Sequence, residues 1–320
     1  MLIALASGKG APGVTVAATA LALVWPRPVL LVEADPRGGT VMWGLGQGRS
    51  FGGRGLLGYE MSSRRMPLLD AMRAQIVQLD ADWPETFVLP GLDQSRQATS
   101  VSWSELGTFL AGQDQWDVIA DCGSLPAARP PSGVWGAADL TVLVTRSSMA
   151  AAHFAEDAAL LLRADLQATG LGVDRLVSVV VGPGQPYPVS DMGRFLGEVA
   201  PVEGTLAWDP PVAAMISEGD QTGRRRLRRS PLLRSAGSLA QRLGGLALMN
   251  RNDAVWAPSA AEAPAATPST SPPPVDARDA ERSTSANPLA GRRGVPFQAP
   301  RAAPPRPPSH PTTPEVNHHA

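Results

Sequence analysis

The amino-acid sequence predicts an α/β fold, a doubly wound, mostly parallel sheet over residues 1–250, followed by a disordered tail over residues 251–320. Three observations carry this expectation. Short runs of Leu, Ile, Val and Ala alternate with longer stretches of helical spacing, the pattern of strands buried on both faces and joined by helical crossovers. Several of these apolar runs end in loops rich in Gly, Pro and Asp, the positions from which parallel sheets present ligand sites. From about Asn252 onward, large apolar side chains give way to Pro, Ala, Ser and Thr, and about half of the chain's 32 prolines lie there. Such a segment cannot offset the entropy cost of ordering.

Residues 2–6 read as the first strand and Gly8-Lys9-Gly10-Ala11-Pro12-Gly13 as a loop. Residues 14–24 read as an Ala/Leu-rich helix stopped by Pro26. This apolar stretch does not read as a secretory leader, because Pro26-Arg27-Pro28 stands where a small-residue cleavage site would be. The second strand is residues 29–32, running into Glu33-Ala34-Asp35-Pro36-Arg37-Gly38-Gly39. Residues 67–77 have helical spacing, 87–89 read as a strand, and 103–111 as a helix. Val118-Ile119-Ala120 leads into Asp121, a strand with an acid at its carboxyl end. Strands at 140–144, 177–181 and 204–207 follow, with helices at 150–166, 189–198 and about 232–249. The last helix presents Leu232, Ala236, Leu239, Leu243 and Leu246 on one face, the spacing of a core-facing stripe.

Composition narrows the classes. The single cysteine, Cys122, leaves no intrachain disulfide and no cysteine-based metal cluster, which fits a reducing cytoplasm. No apolar segment reaches the roughly 18–20 residues that span a bilayer. The formal charge is -1. Lys9 is the chain's one lysine, every other Lys or Arg being arginine, and it lies inside the glycine-rich loop.

Residues 8–15 match the phosphate-loop pattern G-x-x-x-x-G-K-[ST] at Gly8, Gly13 and Thr15, with Val14 where the lysine would stand. Glycines let such a loop curl and aim N–H groups at phosphate oxygens, and the hydroxyl serves Mg²⁺. The same glycines, Gly8, Gly10 and Gly13, also satisfy G-x-G-x-x-G. Glu33 then lies at the end of the second strand, where an NAD(P)- or flavin-dependent oxidoreductase places its ribose-binding acid. A glycine-rich turn on a nucleotide-free scaffold is the third reading. Lys9, the acidic loop at Asp35 and the strand-end Asp121 favour the phosphate loop.

These segments resemble the MinD/ParA ATPases, including their pilus- and secretion-associated (CpaE/TadZ-like) branch. The family's K-G-G-x-G-K-[ST] loop looks like Lys9-Gly10-Ala11-Pro12-Gly13-Val14-Thr15. Its L-I-D-x-D-P-Q-G segment looks like residues 31–38, and its Walker B segment like Val118-Ile119-Ala120-Asp121-Cys122-Gly123. The resemblance implies ATP and Mg²⁺ as ligands, a homodimer, and a role in subcellular positioning, partitioning or pilus and secretion assembly with a protein partner. It further implies that Lys9 reaches the nucleotide phosphates, Asp35 orients the attacking water, Thr15 ligates Mg²⁺ and Asp121 holds it through water. Cys122 is expected to be a small buried residue. Several departures imply weakened nucleotide binding and slow or absent hydrolysis. Val14 removes a cation, Pro12 an N–H and Ala11 a glycine, and Gly182-Pro183-Gly184 stands where the family often has an asparagine for the adenine.

Arg224, Arg225, Arg226, Arg228 and Arg229 form the densest charge run. It reads either as a solvated loop before the last helix or as a non-specific contact for DNA or an anionic membrane, with location at the nucleoid or membrane periphery. The proline clusters of the tail read as a spacer.

Overall fold

The computed structural model describes residues 1–9, 13–48, 52–170, 172–220 and 227–256. The proline-rich segment expected to be disordered lies outside the described residues. The elements in chain order are β1 (Leu2–Ser7), α1 (Val14–Leu23), β2 (Val29–Glu33), α2 (Leu56–Ser63), α3 (Leu68–Gln75), β3 (Val77–Asp80), β4 (Trp83–Leu89), α4 (Trp103–Ala111) and β5 (Asp117–Ser124). They continue with α5 (Ser132–Trp135), β6 (Leu140–Arg146), α6 (Met149–Thr169), β7 (Leu176–Val181), α7 (Val189–Leu196), β8 (Val202–Leu206), α8 (Pro210–Glu218) and α9 (Pro231–Trp256). The strands form one eight-stranded sheet in the order β3-β4-β2-β5-β1-β6-β7-β8. Every neighbouring pair is parallel except β3 with β4, which is antiparallel.

Two cores lie on opposite faces, and β1 serves both because successive side chains alternate. Ile3 and Leu5 pack with α1, α8 and α9; Leu2, Ala4 and Ala6 pack on the other face with α4 and α6. The sheet is therefore covered by helices on both sides, as an all-apolar central strand requires. The stripe read from the sequence on the last helix is in the core: Leu232, Ala236, Leu239 and Leu243 are buried, and Leu246 packs beside them.

Three expectations are corrected. The helix read over 67–77 stops at Gln75, because Ile76 turns extended, and Val77 opens β3. That strand is short, and its stability rests on pairing with β4, so helical spacing upstream masked it. α2 was not read at all in the Gly/Arg-rich stretch. α8 was also missed, although Pro210 stands in its first turn, where a missing N–H costs nothing.

Candidate functional site

The site is built at the carboxyl edge of the central strands β1, β5 and β2. At the start of the β1–α1 loop, Gly8 lies against the backbone of α6; a Cβ there would run into the Phe154 carbonyl. At its end Gly13 takes φ +88°, a left-handed conformation that glycine adopts without steric cost, and caps α1. No side chain caps α1 and no acid sits in its first turn. Its N-terminal N–H groups therefore face outward toward any anion. Gly10, Ala11 and Pro12, read as loop residues that meet phosphate, lie outside the described residues. Val14 opens α1 and is 8 % exposed, packed into the core on the α1 face. The half-buried Thr15 one residue on brings its hydroxyl toward the Asp121 carboxylate and helps hold that carboxyl down.

The sheet register gathers the acids. Asp121 on β5 lies opposite both Leu5 of β1 and Glu33 of β2. Burial pushes the Asp121 carboxyl up from 3.8 to about 6, with Asp35 adding to the rise, while Thr15 and the Gly123 N–H at 3.0 Å oppose it. Gly123 has φ +71°, and a Cβ there would collide with the Asp35 carboxylate. The chain thus folds the Asp35 loop directly over the end of β5. Asp35 is itself engaged by Arg37, whose backbone N–H donates at 2.8 Å and whose guanidinium lies at 3.2 Å. Cys122 is fully buried, as expected, and burial raises its thiol.

Glu33 does something else. It is 2 % exposed, and its Oε1 accepts the N–H groups of Thr40 at 2.6 Å and Val41 at 2.8 Å, while Oε2 accepts that of Gly91 at 3.1 Å. Gly39 and Gly91 press so close that a Cβ on either would come within 2.9 Å of the Glu33 side chain. This carboxylate pins the loop after β2 to the loop after β4 and has no freedom to receive a ribose. Burial, with the Asp121 charge adding, pushes it up from 4.5 to about 7 against the pull of its three backbone donors. The dinucleotide alternative built on Glu33 is therefore corrected. Topology agrees: dinucleotide folds place β1 beside β2, in the order 3-2-1-4-5-6, whereas here β5 stands between them.

On the β6 side of the loop, the exposed Lys9 ammonium stands 5.8 Å from the Phe154 ring centroid of α6. Arg146, ending β6, stacks its guanidinium 4.6 Å from the Trp208 ring. Beside them a cavity of about 280 Å³ runs between Gly13, the ends of β7 and β8, and the start of α8. Sequence reading missed Arg146 and Trp208, since each is an ordinary residue at a strand end and their meeting depends on strand order.

Neither a protein-family model nor a curated protein sequence matches the chain. Solved structures do match. The septum site-determining protein MinD from Pyrococcus horikoshii, complexed with Mg-ADP, is 18 % identical with a TM-score of 0.60, over 78 % of this chain and 98 % of that one. A ParA family ATPase from Chlorobium tepidum gives 15 % identity and 0.60, over 75 % and 98 %. Cyanothece McdA in an ATP complex gives 13 % and 0.55, over 76 % and 96 %.

The chain has the MinD/ParA fold.

Within that fold, the phosphate-loop position after β1, the Asp35 loop after β2 and the acid on β5 all fall on the edge where the sequence placed them. Arg224, Arg225 and Arg226 lie outside the described residues. Arg228 stacks 4.9 Å from the Trp83 ring and donates to the Asp82 carbonyl, tying the chain before α9 to the β3–β4 hairpin. Arg229 is exposed. Among the described residues no helix is long and apolar enough to cross a membrane.

Proposed function

We propose that this MinD/ParA-like chain binds ATP with Mg²⁺ at the β1–α1 loop, hydrolyses it slowly or not at all, and works as a homodimer in subcellular positioning or partitioning. A pilus or secretion machine is one cargo consistent with the resemblance. The observation that carries the reading is the meeting of Thr15 and the buried Asp121 at the foot of a helix that no side chain caps, with Asp35 folded above them. These residues suit the ion: Mg²⁺ keeps several waters and is held by one or two protein oxygens together with phosphate oxygens, not by an all-protein cage. Among the described residues no group of three or more His, Cys, Asp or Glu side chains could form such a cage. A buried carboxyl with a raised pKa also gains most from a neighbouring cation. Thr15 and Asp121 would hold the ion, and α1 and the loop amides would hold the phosphates. Slow hydrolysis follows from Val14, which lies in the core where the family carries a phosphate-bridging lysine.

Calorimetric titration of the full chain with ATP·Mg²⁺ and with NADH tests the reading, alongside steady-state phosphate release. ATP binding with little release is expected. NADH binding without a response to ATP would overturn nucleotide triphosphate recognition, and rapid release would overturn the slow-hydrolysis claim.

A further inference from the structure

Two cavities flank the β1–α1 loop, and one side chain lines both. The larger, of about 280 Å³, includes Gly13, Arg146, Trp208 and Asp209 in its wall. The smaller, of about 140 Å³, includes Gly8, Lys9, Arg146 and Phe154. Arg146 stands there because β6 runs parallel beside β1, with Val144 opposite Ser7, so the end of β6 meets the start of the loop. Its exposed guanidinium stacks on Trp208 and makes no hydrogen bond or ion pair with any described residue. Asp209 also belongs to that cavity wall, with its Oδ2 buried away from the surface and without a hydrogen-bond partner.

The direction of that ligand follows from the acids. Thr15, Asp121 and Asp35 gather on the β5 and β2 side of the loop, where a metal and the terminal phosphate would sit. The Trp208 cavity lies on the β6–β8 side. Arg146 lines both cavities, so a nucleotide reaching from the acids into the Trp208 cavity passes its guanidinium.

Building on the nucleotide reading above, we infer that Arg146 is a phosphate-binding residue of this site, supplying a cation that Val14 does not. Its guanidinium leaves the Trp208 ring and bonds the sugar-proximal phosphate as the base enters the Trp208 cavity. The exchange is favourable because a stacked guanidinium at an exposed site is held weakly, whereas a charge-assisted, two-pronged contact to phosphate is stronger. Lys9, parked on Phe154 on the far side of the smaller cavity, is not needed for this contact.

The test is calorimetric affinity of the full chain for ATP·Mg²⁺ and ADP·Mg²⁺, in wild type and Arg146→Gln, with melting temperature as the folding control. Arg146→Gln should weaken both nucleotides by the same factor, about tenfold to a hundredfold. Indole emission should change on ATP addition in wild type and lose that change in Trp208→Phe. Equal affinity in wild type and Arg146→Gln would overturn the assignment, as would weakened ATP with unchanged ADP. Wild type binding neither nucleotide would instead overturn the underlying nucleotide reading.

Discussion

Glu33→Gln separates what a buried charge costs from what its hydrogen bonds contribute. In the folded chain this carboxyl titrates near 7 against an ordinary 4.5. A folded-state pKa raised above the unfolded one means that the folded chain holds the proton more tightly. The associated stability is fully present below about pH 4.5 and is lost as the pH rises to about 7. At about 1.4 kcal/mol per pH unit, the loss is about 3 kcal/mol. Glutamine cannot ionise, so this part of the pH dependence disappears in the variant. Its amide oxygen can still accept from Thr40 and Val41, but its amide nitrogen would face the Gly91 N–H at the 3.1 Å position now held by Oε2. That orphaned donor costs about 1–3 kcal/mol at every pH. Glu33→Gln should therefore be the less stable protein at pH 5, and the gap should close or reverse by pH 8. Denaturant unfolding of both proteins at several pH values, with slopes compared, is the assay. Parallel stability curves across that range would refute the reasoning, since Asp121 and the other acids titrate in both proteins.

Four further outcomes follow from the packing. Gly123→Ala should cost at least about 1–2 kcal/mol, because φ is +71° and the new Cβ displaces Asp35. Gly193→Ala, in α7 with open space around it, should instead stabilise by about 0.4–1 kcal/mol, so paired thermal melts give opposite signs. Val14→Lys should lower ligand-free stability by about 1–3 kcal/mol, since the larger side chain must fit a position that is 8 % exposed. The loss should shrink on adding ATP·Mg²⁺, as melts with and without nucleotide would show. Arg228→Ala should lose about 0.5–1 kcal/mol through its contact with Trp83, while retention on DNA at low salt stays as in wild type.

What the sequence determined was local. Residues 103–111 read as a helix and form α4, and the leucine stripe from Leu232 to Leu243 read as a core face and is buried, because helical periodicity reports burial directly. The positions of Gly8, Gly13, Thr15, Asp35 and Asp121 followed from a different local pattern. Gly8, Asp35 and Asp121 lie at or just past the ends of apolar runs, Gly13 and Thr15 where α1 opens, and parallel topology carries these positions to one edge. What the sequence left open depended on distant partners. Glu33 read as a ribose acid in the rival dinucleotide reading until Thr40, Val41 and Gly91 closed around it. Val14 read as a missing cation, and only the packed α1 face shows it as a core residue. The helical reading of Val77 gave way to β4, which supplies its hydrogen bonds. Arg146 and Trp208 meet because β6, β7 and β8 are neighbours, and β5 lies between β1 and β2. Strand order is set by which remote segments bury one another most completely, a free-energy comparison over the whole chain that no window of residues contains.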